Sequence, residues 1–290
     1  MSEYVILTDS ASDLPDKYAV SNNLVVLPLK FYFNSQEYYN YLDFSQMSAK
    51  EFYQMLRENN YAKTSQVNVA DFKKAFTEIL KEGKDIVAVL LSSGLSGTFN
   101  SAEVAKEEVL KKFPDRQIYL VDSKTGSLGE GLVVNEAVQF KKAGKTCEET
   151  YRHLKQFKYH VASLFTHDDL THLKKGGRIG IFTYWLGTAL RIKPIITADN
   201  EGKLNPRTKV LGRKKSLRNL AERVIETYDS NFGNTIYISH ADCEEEALQV
   251  KTEIENRLNL KVSLVHMMGP VIGAHGGPGT VAVFYPVKER

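Results

Sequence analysis

The stretch Ile86-Val-Ala-Val-Leu-Leu91-Ser-Ser-Gly-Leu-Ser-Gly97-Thr98 decides the fold class of this chain. Its first six residues are all apolar, which is typical of a strand that is buried on both faces of a sheet. A short loop of serine and glycine follows, and residues 101–112 then have the pattern of a helix. A buried strand, a small polar loop and a helix in this order predict a parallel sheet in an α/β protein.

The same alternation extends through the first half of the chain. Apolar runs predict further strands at residues 4–7, 24–29 and 118–121. Apolar residues at helical spacing predict helices near residues 69–80 and 131–142. We therefore predict an N-terminal α/β domain over residues 1–160, with a mostly parallel sheet flanked by helices.

The second half is less regular, and we predict a C-terminal α/β domain over residues 161–290. The predicted strands are 159–165, 195–197, 204–210, 235–239, 262–265 and 281–285. The predicted helices are 168–174, 214–228 and 244–258. An Asp-Asn-Glu-Gly turn at 199–202 indicates a hairpin between two of the strands.

Composition excludes several classes of protein. The net charge of +3 is too small to imply a nucleic-acid partner, and the apolar share of 42% supports a large core without disulfides. Cys147 and Cys243 suit a reducing compartment. No run of about 18 apolar residues and no signal-peptide pattern is present, so we expect a cytoplasmic protein without stable membrane insertion. Residues 203–218 hold seven basic and no acidic residues, which indicates either a solvated surface or a docking surface for an acidic or phosphate-bearing partner.

Small hydroxyl-rich loops follow several of the predicted strands. They are Thr8-Asp9-Ser10, Ser92 to Thr98 and Asp122-Ser123, and Thr64-Ser65-Gln66 has a similar character. Ligands of parallel sheets bind at the carboxyl ends of strands, so the first three of these loops should converge on one rim. His275 lies in a glycine-rich segment that allows a close approach of the backbone. The pattern favours neutral donors around one anionic head group.

Other interpretations of these loops remain open at this point. Gly94-Leu-Ser96-Gly-Thr98 departs from the G-x-S-x-G nucleophile elbow at its last position, and a hydrolase would need a histidine such as His240 or His275 beside Ser96. Ser96 or Thr98 could instead cap a helix. His167, Asp168, Asp169 and His172 match no known metal-ligand spacing, so we predict no metal site. No Walker-type phosphate loop is present.

An ordered set of motifs resembles the DegV family, the fatty-acid-binding proteins of bacterial fatty acid kinase (the FakB group). The motifs are Thr8-Asp9-Ser10, Thr64-Ser65-Gln66, Ser92-Ser-Gly-Leu-Ser-Gly97, Asp122-Ser123, Leu173-Lys-Lys-Gly-Gly-Arg178-Ile179, Lys193-Pro194 and Gly269-Pro-Val-Ile-Gly-Ala-His275. Each motif alone is weak, whereas the ordered set covers nearly the whole chain.

The resemblance implies a long-chain fatty acid, such as palmitate or oleate, buried between the two domains. It implies that Thr64, Ser96 and His275 hold the carboxylate. A separate kinase subunit would use ATP to convert the bound acid to an acyl phosphate for phospholipid synthesis. The chain itself would be a carrier with no catalytic residue, no cofactor and no metal. The competing hypothesis is a serine hydrolase that acts on a lipid ester through Ser96.

The resemblance also implies further site residues. The pocket-lining candidates are Ser65, Ser93, Gly94, Gly97, Phe165, Ile179, Gly273 and Ala274, with Phe182, Trp185, Leu186 and Leu190 as additional apolar wall. The candidates for docking the kinase are Arg207, Arg213 and Lys214. Relatives often have proline where Val67 stands and arginine where Leu211 stands, so the loop and the docking surface are expected to differ here.

Overall fold

The computed structural model describes residues 3–58, 60–178 and 192–290. In these ranges the strands are β1 (Tyr4–Asp9), β2 (Val25–Leu27), β3 (Lys30–Phe33), β4 (Gln36–Tyr39), β5 (Lys63–Ser65), β6 (Asp85–Leu90), β7 (Ile118–Asp122), β8 (Val161–Thr166), β9 (Ile192–Ala198), β10 (Leu204–Leu211), β11 (Tyr237–His240), β12 (Leu264–Met267) and β13 (Val281–Pro286). The helices are α1 (Asp16–Ser21), α2 (Ala49–Arg57), α3 (Val69–Lys81), α4 (Thr98–Leu110), α5 (Leu128–Lys142), α6 (Cys147–Phe157), α7 (Thr171–Lys175), α8 (Arg213–Thr227), α9 (Glu244–Leu258) and α10 (Pro270–Gly276). None of these helices is both long and apolar enough to cross a membrane.

The first half of the chain builds a four-stranded sheet in the order β2-β1-β6-β7. All of its strand pairs are parallel. Every residue of β6 is buried, because helices α3 to α6 pack around the sheet. This arrangement confirms the predicted α/β class and its parallel sheet flanked by helices.

The second half builds a six-stranded mixed sheet in the order β10-β9-β8-β13-β11-β12. The predicted hairpin is present, since β9 and β10 pair antiparallel around the 199–202 turn. Helices α8 and α9 pack together over an apolar core of their own. The larger core includes residues of both halves, among them Leu91, Val271 and Phe284. The division into two domains at residue 160 therefore stays a prediction.

A small antiparallel sheet, β4-β3-β5, was not expected from the sequence. Phe31 and Phe33 alternate with half-buried residues along β3, and the turn to β4 passes through Asn34 and Ser35 at φ of 45° and 70°. Two successive residues at positive φ are typical of tight hairpins. This sheet places Thr64 on β5, opposite Phe31.

Helix α10 was also missed, because its glycine-rich sequence predicts a loop. Tertiary packing overrides that propensity. A Cβ atom on Gly273 would lie 2.4 Å from Oη of Tyr53, so only glycine allows the helix to approach α2 this closely. The helix also contacts β3 and β5. This packing brings His275 from the end of the chain to the first half of the molecule.

Candidate ligand-binding site

A cavity of about 380 Å³ lies between the two larger sheets, a size typical of ligand pockets. One wall is the face of the six-stranded sheet that carries Ser163 and Phe165 of β8 beside Phe284 and Ala282 of β13. The opposite wall comes from loops that follow β6 and β7 and from α10. The apolar lining residues are Leu29, Leu91, Leu95, Phe165, Leu173, Ala198, Leu204, Met268, Val271, Ile272, Ala282 and Phe284. The cavity therefore suits a ligand with a substantial apolar part.

Thr64 and His275 form a hydrogen-bonded pair in the wall of this cavity. Thr64 Oγ1 and His275 Nε2 lie 2.8 Å apart, although the residues are 211 positions apart in sequence. Burial, together with the nearby positive charge of Arg178, lowers the pKa of His275 to about 4. The imidazole is therefore neutral at pH 7. When its proton is on Nε2, it donates to Thr64 Oγ1 and leaves the threonine hydroxyl free to donate to a ligand.

Ser96 lines the same cavity from the loop between β6 and α4. Its Oγ accepts a hydrogen bond from the backbone N–H of Thr98 at 3.2 Å and lies 3.0 Å from Thr98 Oγ1. Ser96 thus has a local structural role at the start of α4 as well as a place in the cavity wall. A head group near Ser96 would also lie close to the positive end of this helix.

Gln66 joins the two hydroxyl-bearing loops. Its Nε2 donates to Ser101 Oγ on α4 at 2.7 Å. A Cβ atom on Gly97 would lie 2.2 Å from Gln66 Oε1, so the glutamine packs directly on the Gly97 backbone. These contacts join the segment that follows Thr64 to the loop and helix that follow Ser96.

The geometry does not favour a serine hydrolase. A nucleophilic serine needs a base within hydrogen-bonding reach. Within the described ranges, His275 bonds to Thr64, and His240 Nδ1 accepts from the backbone N–H of Cys243 at 3.4 Å. Neither histidine forms a hydrogen bond with Ser96.

Two of the pocket-lining candidates, Ser65 and Phe165, line the cavity together with the three head-group candidates. The lining residues do not include Ser93, Gly94, Gly97, Gly273 or Ala274. Ile179 lies outside the described residues, as do Phe182, Trp185, Leu186 and Leu190.

Packing explains why these candidates are not in the lining. The Ser93 hydroxyl donates to the carboxylate of Asp122. A Cβ atom on Gly94 would lie 2.8 Å from the carbonyl oxygens of Glu201 and Gly202, so Gly94 packs on the β9–β10 hairpin. Gln66 packs on Gly97 and Tyr53 packs on Gly273, as described above. Ala274 is buried in the core. The motif glycines thus allow close packing between elements.

Several polar lining residues were not singled out from the sequence. Thr125 Oγ1 and Ser163 Oγ lie 2.8 Å apart and connect the loop after β7 to β8. Ser127 also lines the cavity and bonds to Asp13 and Ser239. Period-two alternation in β8 would have placed Ser163 and Phe165 on one face. No sequence signal locates the partners of these hydroxyls.

His167 is a buried structural residue of the cavity wall. Its Nδ1 donates to the carbonyl oxygen of Gly276 at 2.9 Å, and it also lies 2.7 Å from Thr280 Oγ1. Burial lowers the pKa of His167 to about 4. The described residues contain no group of three or more His, Cys, Asp or Glu that could hold a metal ion. The prediction that no metal is bound remains a prediction.

The three docking candidates differ in solvent exposure and in their ion pairs. Arg207 and Lys214 are exposed. Arg213 is instead paired with Glu246, with its Nε donating to Oε1 at 3.0 Å, and it connects α8 to α9. The docking role of Arg213 stays a prediction, as it does for Arg207 and Lys214. Leu211 is 62% exposed between these positions.

Comparison with known proteins agrees with the motifs and the fold. The family model described as "Uncharacterised protein, DegV family" matches residues 3–288. A DegV domain-containing protein of Clostridium perfringens is 40% identical over 285 residues, which cover 98% of each chain. A DegV domain-containing protein of Lactococcus lactis is 32% identical over 281 residues, with 97% of this chain and 96% of that protein covered.

Solved structures show the same similarity. The DegV protein of Bacillus subtilis, described as a fatty acid binding protein, has a TM-score of 0.85 and 28% identity, with 99% of this chain and 100% of that chain covered. A DegV family protein of Thermus thermophilus, described by its fatty acid binding, has a TM-score of 0.86 and 29% identity, with 98% and 100% covered. The chain belongs to the DegV family.

Proposed function

We propose that this protein binds one long-chain fatty acid in the cavity between its sheets, with the carboxylate at Thr64, Ser96 and His275. The observation that carries this proposal is the Thr64–His275 hydrogen bond in the wall of a largely apolar cavity. Relatives whose structures are described as fatty acid binding proteins support the same ligand class.

The energetics suit such a ligand. Burial of about 14 methylene groups at about 0.8 kcal/mol each contributes on the order of 11 kcal/mol before the costs of association. The head group then needs orientation more than strong attraction. The hydroxyls of Thr64 and Ser96 supply hydrogen bonds to the carboxylate, and the neutral His275 orients the Thr64 hydroxyl without adding a charge.

We further propose that the protein is a non-catalytic carrier for a separate fatty acid kinase. In that reaction a carboxylate oxygen forms a bond to the terminal phosphorus of ATP while the bond to ADP breaks, which gives an acyl phosphate. The resemblance to the FakB group supports this role, and a use in phospholipid synthesis in the cytoplasm, where ATP is available, follows from it. No cofactor is part of this proposal.

The kinase would dock on the basic segment around β10 and the start of α8. Arg207 and Lys214 are exposed there, and Leu211 stands where relatives often have arginine. The test is the rate of acyl phosphate formation with the fatty acid kinase of the same bacterium. A Leu211→Arg variant should increase this rate. An unchanged rate would show that docking does not depend on this position.

The first experiment is mass spectrometry of the purified protein, native and then denatured and extracted. We expect one fatty acid per chain in the wild-type protein and its loss from a Thr64→Ala/Ser96→Ala variant. A Thr252→Ala variant is the matched control, because Thr252 is an exposed residue of α9, outside the cavity lining, whose hydroxyl donates to the Leu248 carbonyl oxygen. A lipid-free protein that also fails to take up added palmitate would refute the proposal.

A further inference from the structure

Arg290 joins three segments that are distant from one another in sequence. Its Nε donates to the carbonyl oxygen of Val161 at 2.6 Å, and its Nη1 donates to the carbonyl oxygens of Lys124 at 3.0 Å and Asp199 at 3.4 Å. Val161 begins β8, Lys124 lies in the loop after β7, and Asp199 follows β9 at the turn to β10. One planar guanidinium bonded to all three segments limits how far they can separate.

Each of the three acceptor residues adjoins a residue that lines the cavity. These lining residues are Thr125, Ser163 and Ala198, which lie one or two positions from the acceptors in sequence. Each is at most 3% exposed, so the cavity wall is tightly packed here. The lining residues do not include Arg290, which therefore supports this part of the wall from behind.

This part of the wall lies away from the proposed head-group site. Ser163, Phe165 and His167 line the cavity at alternate positions along β8 and just beyond its end. His167 bonds to the carbonyl oxygen of Gly276, which directly follows His275. At about 3.3 Å per residue, Ser163 lies about 13 Å from His167 along the strand. The part of the cavity beside Ser163 is here called the distal end, since an acyl chain held at His275 would extend toward it.

A buried arginine is costly at this position. Burial lowers the pKa of Arg290 to about 10, which leaves the guanidinium charged at pH 7. Its Nη2 is buried and has no hydrogen-bond partner among the described residues, and an unsatisfied buried donor lowers stability. Apolar packing would not require a cation here. Donation to three carbonyl oxygens does require a side chain with several N–H groups in one plane.

We infer that Arg290 is a positioning residue that limits the length of the bound acyl chain by holding the distal end of the cavity closed. This inference rests on the proposed function. A chain that is too long for the cavity would have to displace the loop after β7, the start of β8 or the β9–β10 turn. Each of these movements would break a hydrogen bond to Arg290. The turn is also held by Ser92, whose Oγ donates to the Gly202 carbonyl oxygen at 2.9 Å.

The test compares palmitate, stearate and the longer arachidate as ligands of the delipidated protein, with affinities measured by titration calorimetry. The wild-type protein should bind arachidate more weakly than palmitate. Arg290→Ala should raise the affinity for arachidate relative to that for palmitate by about ten-fold, the value of two more buried methylene groups. A residue that only stabilises the fold would change all three affinities by the same factor.

A control variant and a second measurement complete the test. Lys288→Ala removes an exposed basic side chain outside the cavity lining and should leave the ratio of affinities unchanged. Amide hydrogen exchange of the wild-type protein does not depend on a variant that folds. The longest of the three acids that binds should increase exchange in the turn at 199–202 relative to palmitate, because it loosens the bonds to Arg290.

The outcomes separate this inference from the proposed function. An unchanged ratio of affinities in folded Arg290→Ala, or equally tight binding of arachidate and palmitate by the wild-type protein, would overturn the inference and leave the proposed function standing. If Arg290→Ala does not fold, equal exchange in the turn with the longer acid and with palmitate would overturn it. Failure of the wild-type protein to bind any of the three acids would overturn the proposed function instead.

Discussion

Replacement of Asp13 by asparagine should make the protein markedly less sensitive to pH. Asp13 is buried, and its carboxylate accepts hydrogen bonds from the Gly269 backbone N–H at 2.9 Å and from Ser127 Oγ at 2.6 Å. Burial raises the pKa of Asp13 to about 7, and two further buried carboxyl groups, Asp9 and Glu130, also have raised pKa values. Asp13 therefore holds a proton in the folded state at pH values where it is ionised in the unfolded chain.

The magnitude follows from the difference between the two states. The ordinary pKa of 3.8 applies in the unfolded chain, and the folded value is about 7. The contribution of Asp13 to the free energy of unfolding is therefore fully present below pH 4 and lost as the pH rises through 7. The difference of about 3 between the two pKa values corresponds to about 4 kcal/mol of unfolding free energy. About 2–3 kcal/mol of this is lost between pH 5 and pH 8.

Asparagine has the same shape and no charge to bury. Its oxygen can accept from the Gly269 N–H, and its amide can donate to Ser127 Oγ, which then donates to Ser239 Oγ. As the pH rises from 5 to 8, the free energy of unfolding of Asp13→Asn should fall by about 2–3 kcal/mol less than that of the wild-type protein.

The assay is urea unfolding of delipidated protein at several pH values, since bound ligand would itself raise stability. Asp115→Asn, at an exposed carboxylate between α4 and β7, is the control and should follow the wild-type profile. Parallel pH profiles for Asp13→Asn and the wild-type protein would refute the reasoning, because Asp13 would then not change its protonation on unfolding.

Three other predictions test the site directly. Gly176→Ala should displace the His275 ring from Thr64 and weaken palmitate binding by about ten-fold; calorimetry checks this, and an unchanged Kd would show that the Thr64–His275 bond is not used. Ala198→Phe should fill part of the cavity and weaken stearate binding more than decanoate binding, whereas equal losses would place the acyl chain elsewhere. His275 should titrate near pH 4 by NMR, with palmitate affinity constant from about pH 5.5 to pH 8; an imidazole midpoint above about pH 6 would contradict the neutral head-group site.

Local sequence patterns were sufficient for several elements, although they did not yield the amphipathic helices α2 and α6. The apolar run at 86–91 predicted β6, and the serine–glycine loop after it was correctly placed before a helix. The same rules failed for α10, because close packing against Tyr53 stabilises a helix that glycine propensity disfavours. The small sheet was missed although Asn34 and Ser35 form a hairpin turn, since its strands have only three or four residues.

Local patterns could not predict the site itself. Thr64 and His275 meet through the packing of β5 against α10, which no spacing rule reveals. Their proximity was expected only from the resemblance of the ordered motifs to a family. The resemblance did not separate ligand contacts from packing contacts, since Gly94, Gly97 and Gly273 pack against other elements and are not part of the cavity lining. A motif marks where substitution is constrained, and only the structure separates ligand contact from packing.

The separate origins of the two cavity walls have an evolutionary consequence. The proposed head-group residues lie on a short strand, a loop and a helix with dense contacts, where few substitutions are tolerated: Thr64 on β5, Ser96 before α4 and His275 on α10. The opposite wall is a strand face, where Phe165 lines the cavity from a separate element, β8. If the proposed function holds, gene copies of such a protein can diverge in preferred chain length or unsaturation while the proposed head-group site stays fixed.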